Sequence, residues 1–210
     1  MVSMTAASGN ATYPMKRSFE QMGQSLTIVG IAGSLRAQSY NRQLLTAASG
    51  LLPEDVRFIL ADISGVPLYN EDLETSLPET VVTLKQIVQS ADGVIFATPE
   101  YNGSIPGVLK NVIDWLTRPR GQSSLSGKPA GIIGGTTGMF GAVNAQMHLR
   151  HILSLLNMYV IPQPLVLISQ IQNKFDAAGR LTDETSQNFL QQHLDRLIAA
   201  ARQMKNDNKQ

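Results

Sequence analysis

Cysteine is absent from the 210 residues. Its absence removes disulfides, thiol nucleophiles and thiolate metal sites together, and it fits a reducing compartment, so a cytoplasmic location is the expectation. Histidine is scarce: His148, His151 and His193 are the only three, none in an HxH or HExxH pattern, and no metal site is expected. An excess of one charge is missing too, with 17 Lys and Arg against 16 Asp and Glu, so no bulk field draws the chain to nucleic acid or to an anionic membrane. No run approaches the ~18 uninterrupted apolar residues of a membrane span. The first 24 residues, MVSMTAASGNATYPMKRSFEQMGQ, have neither a clear period nor the apolar stretch of a secretory signal. We therefore expect a disordered tail over 1–24 and one domain over 25–210.

What is present, from Ser25 on, is an alternation of apolar bursts and amphipathic stretches. LTIVGIA, VRFILADI, GVIFATP and PAGIIGG read as strands, and YVIPQPLVLIS as a fifth strand interrupted by proline. Between them, NRQLLTAASGLL, LPETVVTLKQIVQSA, VLKNVIDWLTR and AVNAQMHLRHILSLLNM read as helices. DETSQNFLQQHLDRLIAAARQ closes the chain as a helix capped near Thr182 or Asp183. Alternating β and α units predict parallel strands in an open sheet with helices on both faces, and GVIFATP is apolar enough to be covered on both. In such sheets ligands bind beyond the carboxyl ends of the strands, which directs attention to the loops after strands one, three and four.

The first of these loops, GSLRAQSYN, is not a dinucleotide turn: Gly30 and Gly33 are three apart and Arg36 stands where a third glycine belongs. Nor is there a Walker loop, because the sole Gly-Lys pair, Gly127-Lys128, precedes Pro129. Ser34, Ser39 and Asn41 remain as hydrogen-bonding side chains and Arg36 as a cation, beside the exposed N–H groups of a helix start. That set suits a terminal phosphate monoester, and equally a plain strand-to-helix turn with a capping serine. The loop after strand three, TPEYNGSIPGVLKN, offers backbone amides and the aromatic face of Tyr101, or simply packs. The third, GGTTGMFG, is glycine-rich and carries Thr136 and Thr137. Taken together, the three loops describe a phosphorylated planar cofactor lying across the sheet edge.

The segments GSLRAQSYN, ATPEYNGSIPGVLKNVIDWLTRP, LSGKP and QMHLRHIL resemble the NAD(P)H-dependent FMN reductase family, in its quinone and chromate reductase branch. The likeness extends from about Leu26 to the last helix. It implies a flavodoxin-like three-layer fold, with five parallel strands in order 2-1-3-4-5 and FMN held without a covalent bond. Carried across by residue, Ser34, Leu35, Arg36, Ser39, Tyr40 and Asn41 would hold the phosphate. Pro99, Glu100, Tyr101, Asn102 and Gly103 would line the ribityl chain and ring, and Thr136 would approach the ring from the loop after strand four. Two departures stand out: Met147 where relatives often have Tyr, and Gly141-Ala142 where they have a glycine pair.

The resemblance implies NAD(P)H as co-substrate and small electron acceptors such as quinones, free flavin, azo compounds or chromate, reached by a ping-pong mechanism. No side chain need be catalytic, since the flavin carries the redox chemistry. A homodimer or homotetramer is expected through the amphipathic helix that holds His148 and His151, both read as interface or solvent residues. Asp62 is read as a turn residue, and Asp114 and Trp115 as packing or contact residues. The rival in a different class is a flavodoxin-like electron carrier, typically strongly acidic where this chain is near neutral.

Overall fold

A computed structural model describes residues 25–207; the proposed tail, 1–24, lies outside the described residues. The elements run β1 (Leu26–Ala32), α1 (Tyr40–Ser49), β2 (Val56–Leu60), α2 (Glu79–Gln89), β3 (Gly93–Ala97), α3 (Gly107–Leu116), β4 (Pro129–Gly135), α4 (Val143–Leu155), β5 (Tyr159–Val160), β6 (Val166–Ile168) and α5 (Glu184–Asp207). All strand pairs are parallel, as the alternating pattern predicts, and their order β2-β1-β3-β4-β5 is the one the family resemblance implies.

Period-two alternation sorts the strand residues between two cores. Leu26 and Ile28 of β1 and Ile95 of β3 pack with Leu44, Leu45 and Ala48 of α1 and with Leu190, Leu194 and Leu197 of α5. Val29 and Ile31 of β1, with Val94 and Phe96 of β3, face Leu84 and Val88 of α2, Leu109 and Val112 of α3, and Leu149 and Leu153 of α4. The sheet is therefore covered on both sides, and five of its seven β1 residues carry apolar side chains buried between helices. Register then aligns the strand ends: Ala32 pairs with Ala97, and Ala97 with Ile133. The ladder runs one step further, with Gly33 N–H donating to Ala97 O at 2.8 Å and Thr98 N–H to Ile133 O at 3.0 Å. The loops that leave β1, β3 and β4 consequently start side by side.

The fifth sheet position differs in one respect from a single strand. Both β5 and β6 pair with β4, separated by Ile161–Leu165. Pro162 and Pro164 have no N–H to give the ladder, so pairing stops and resumes. Helix side chains take over the freed carbonyls: Arg150 Nη1 donates to Ile161 O, His193 Nδ1 to Pro164 O and Gln146 Nε2 to Val166 O, each at 2.8 Å. Asp183 caps α5, its carboxylate accepting from Ser186 N–H at 2.9 Å.

Candidate functional site

Each loop is built by local chemistry. After β1, Ser34 Oγ accepts Arg36 N–H and Ser39 Oγ accepts Arg42 N–H, both at 3.3 Å. Ser39 is thereby the N-cap of α1, and both hydroxyl protons stay free to donate. The first-turn N–H groups of Tyr40 and Asn41 have no intrahelical acceptor and carry the positive end of the helix dipole. With the Arg36 guanidinium alongside, this donor set fits a dianionic phosphate. The Asn41 side chain does something the sequence does not disclose. Buried, it donates through Nδ2 to Gly135 O and accepts Gly135 N–H through Oδ1, both at 3.0 Å, clamping the end of β4 to the start of α1.

After β3, Tyr101 and Ser104 exchange backbone hydrogen bonds at 3.0 and 3.1 Å around Asn102 and Gly103, whose φ values are 52° and 72°. Two consecutive left-handed residues in a two-residue hairpin explain the Asn-Gly pair of the PEYN segment. Ser104 Oγ lies 3.0 Å from His148 Nδ1 of α4.

The Glu100 carboxylate points away from this turn. One oxygen accepts the N–H groups of Asn144 and Ala145 at 2.9 and 3.1 Å, the other the Asn144 amide at 3.0 Å. Helix α4 needs this partner because the residue at its N-cap is Ala142, which has no oxygen to offer and sits at φ 69°. Partial burial raises the Glu100 carboxyl, but the Asn144 amide, the two backbone N–H groups and nearby His148 outweigh it and hold it below the usual range.

After β4, Thr136 N–H donates to Ile168 O at 3.1 Å, Ile171 N–H to Thr136 O at 3.0 Å and Gln170 N–H to Gly138 O at 2.9 Å. The loop is thus fastened to the chain that follows β6.

These three loops close on a single cleft. Ser34, Arg36, Ser39, Tyr40 and Asn41 line one end, Pro99, Glu100 and Tyr101 a second side, and Thr136 the third. Leu35, Asn102 and Gly103 do not line it: Leu35 is exposed, and the other two form the hairpin tip. Gly135, Thr137 and Ile171 line it as well, beyond the residues proposed from sequence. Thr137 was visible in the TT pair, whereas nothing local to Ile171 shows that β6 returns it to this edge. A larger cavity of about 420 Å³ beside β6 holds Lys174 and Asp183. Its charges are paired at 2.6 Å, and Lys174, with Ser186, holds the Asp183 carboxyl at about 2, so that cavity is a structural ion pair rather than a reactive one.

Among the described residues no group of His, Asp and Glu could hold a metal ion, and no described helix is long and apolar enough to cross a membrane. Asp62 Oδ1 accepts Ser64 N–H at 3.0 Å, a turn role, and Trp115 is buried with its Nε1 donating to Pro67 O at 2.8 Å.

Comparison with known proteins places this cleft in a family. The family model described as NADPH-dependent FMN reductase matches residues 26–173. The chain belongs to that family. It is 46% identical over 185 residues to an NAD(P)H-dependent FMN reductase of Pseudomonas aeruginosa, covering 88% of this chain and 100% of that protein. It is 42% identical over 178 residues to a 2-hydroxy-1,4-benzoquinone reductase of a Burkholderia species, covering 85% of this chain and 97% of the relative. Among solved structures, the flavoenzyme NAD(P)H:(acceptor) oxidoreductase FerB of Paracoccus denitrificans superposes with a TM-score of 0.79 at 37% identity, over 85% of this chain and 98% of that one. The family-matched segment contains all three loops, so the cleft lies within the matched part of the chain.

Proposed function

We propose that this chain is an FMN-dependent NAD(P)H oxidoreductase that passes two electrons to quinones or similar small acceptors. The convergence of the three strand-end loops on one cleft, with a phosphate-type donor set at one end, carries the reading. When bound, the flavin would accept a hydride from NAD(P)H and deliver two electrons to an acceptor. The protein's part is binding and orientation. Ser34, Arg36, Ser39 and the first turn of α1 would grip the phosphate non-covalently, opposite charge and free donors facing its oxygens. Pro99, Tyr101 and Thr136 would bound the ring, and Glu100 would act indirectly, by fastening the loop after Pro99 to α4. No acid, base or nucleophile is needed among them.

NAD(P)H and acceptor would use one exposed face in turn, which predicts ping-pong kinetics with parallel double-reciprocal lines; intersecting lines would refute that. Chromate and azo compounds are further acceptors to test. Exposed Met147 and Leu155 on α4 support assembly as a homodimer or homotetramer, and the cysteine-free composition supports a cytoplasmic setting. Anaerobic titration is the direct test: flavin absorbance of the purified protein should bleach with NADPH or NADH and return on adding quinone. A flavin that NAD(P)H leaves oxidised would favour the electron carrier, and a colourless protein that binds no FMN would exclude both.

A further inference from the structure

The hairpin that carries Tyr101 to the cleft is held at both of its ends by one helix. At its start, the Glu100 carboxylate accepts from Asn144 and Ala145 in the first turn of α4. At its end, Ser104 Oγ meets His148 Nδ1 at 3.0 Å. Asn144 and His148 stand at i and i+4 on α4, so the two ties fall on one face of the helix, a turn apart. His148, read from the sequence as an interface or solvent residue, thus has a specific partner.

Little else fixes the far end of this hairpin. Its internal hydrogen bonds are the two backbone ones between Tyr101 and Ser104. Packing does not hold the tip, because a Cβ on Gly103 would have no neighbour within 4 Å. Among the described residues, His148 is the one side chain outside the hairpin that hydrogen-bonds any of residues 101–104. Tyr101 lines the cleft while half of it faces solvent, so its placement depends on how firmly the hairpin is held. Serine and the imidazole Nδ1 can each donate or accept, and the bond therefore stands with the ring neutral or charged.

We propose that His148 is a positioning residue: through Ser104 it fixes the Tyr101 hairpin, and with it the wall of the cleft against which the nicotinamide of NAD(P)H is aligned. The proposal rests on the flavin-dependent reading above. In the step concerned, NAD(P)H gives a hydride to FMN and leaves as NAD(P)+, and one proton from water completes the reduced flavin. Hydride transfer needs the reacting atoms about 3–3.5 Å apart and aligned, so a displaced wall slows it. Reoxidation by ferricyanide makes no bond: two ferricyanide ions each take one electron, two protons are released, and the same displacement matters little.

The test uses the full chain with and without FMN. In Ser104→Ala and in His148→Leu the Tyr101 and Ser104 amides should exchange with solvent about fivefold faster than in the parent, the effect of one lost hydrogen bond. Once loaded with FMN, both variants should be reduced about tenfold more slowly by saturating NAD(P)H in stopped flow, while reoxidation by ferricyanide keeps the parental rate. The double variant should match the single ones, since each removes the same bond. His148→Asn, which keeps a hydrogen-bonding group near the position of Nδ1, should recover most of the reduction rate. Parental amide exchange or parental reduction rates in both single variants overturn the proposal. So do an equal slowing of reduction and ferricyanide reoxidation, additive losses in the double variant, or a His148→Asn as slow as His148→Leu. Should NAD(P)H fail to reduce the parent, the functional reading falls by itself, and amide exchange still decides whether His148 holds the hairpin.

Discussion

His193 and Pro164 are joined across the interruption of the sheet edge: the Nδ1–H of the fully buried imidazole donates to the Pro164 carbonyl at 2.8 Å. Its Nε2 accepts the Ile132 N–H of β4 at 3.1 Å, which fixes a neutral tautomer, since an imidazolium has no lone pair to accept with. Gly131 makes room for this, as a Cβ there would lie 3.1 Å from His193 Nε2.

Burial, with lesser help from Arg150 and Arg196, lowers the His193 pKa from 6.5 to about 4 although the Pro164 carbonyl pulls it up. The unfolded chain therefore binds this proton first. The stability contributed by the neutral ring is complete above about pH 6.5 and is lost as pH falls from there toward about 4, on the order of 3 kcal/mol in all. Urea midpoints across that window should decline in the parent and decline distinctly less in His193→Gln. Equal slopes in the two proteins would contradict the assignment.

Arg36→Ala removes the one guanidinium among the residues lining the cleft, at the end proposed to hold the phosphate. Loss of a charge-assisted hydrogen bond of about 1.5–3 kcal/mol should weaken FMN binding roughly 10- to 100-fold. Riboflavin, which lacks the phosphate, should be affected little, so the preference for FMN over riboflavin collapses in fluorescence titrations. A dissociation constant equal to the parent's would remove Arg36 from the phosphate site.

Asn41→Ala deletes both hydrogen bonds to Gly135 and leaves that buried N–H and C=O without a partner. The expected cost is about 2–4 kcal/mol of folding stability, read as a lower urea midpoint with unchanged m-value, together with weaker FMN retention. A loss of FMN affinity at parental stability would instead make Asn41 a direct phosphate ligand.

Glu100→Ala removes both carboxylate oxygens that accept from Asn144 and Ala145 at the start of α4. Losing the cap of α4 should cost about 1 kcal/mol and loosen the loop after Pro99, so FMN binds several-fold less tightly. Parental affinity and stability together would show that the tie has no influence on the cleft.

The order of elements was legible in the sequence because buried parallel strands must be apolar throughout and amphipathic helices must repeat every three to four residues. The turn at Asn102-Gly103 was legible too, since few residues other than Asn and Gly tolerate two successive left-handed conformations. The phosphate-type donors Ser34, Arg36 and Ser39 could be named because they lie in one short loop, where spacing alone brings them together. What only the tertiary structure decided are the pairings between residues far apart in the chain. Asn41 holds Gly135, Glu100 caps α4, His193 bridges β4 to Pro164 and Ile171 returns to the cleft. Each depends on strand register and on which helix crosses which strand end, and a local pattern of side-chain types carries no record of either. The sequence could therefore name the donors at the cleft, whereas packing determined which polar side chains face it and which hold its walls in place.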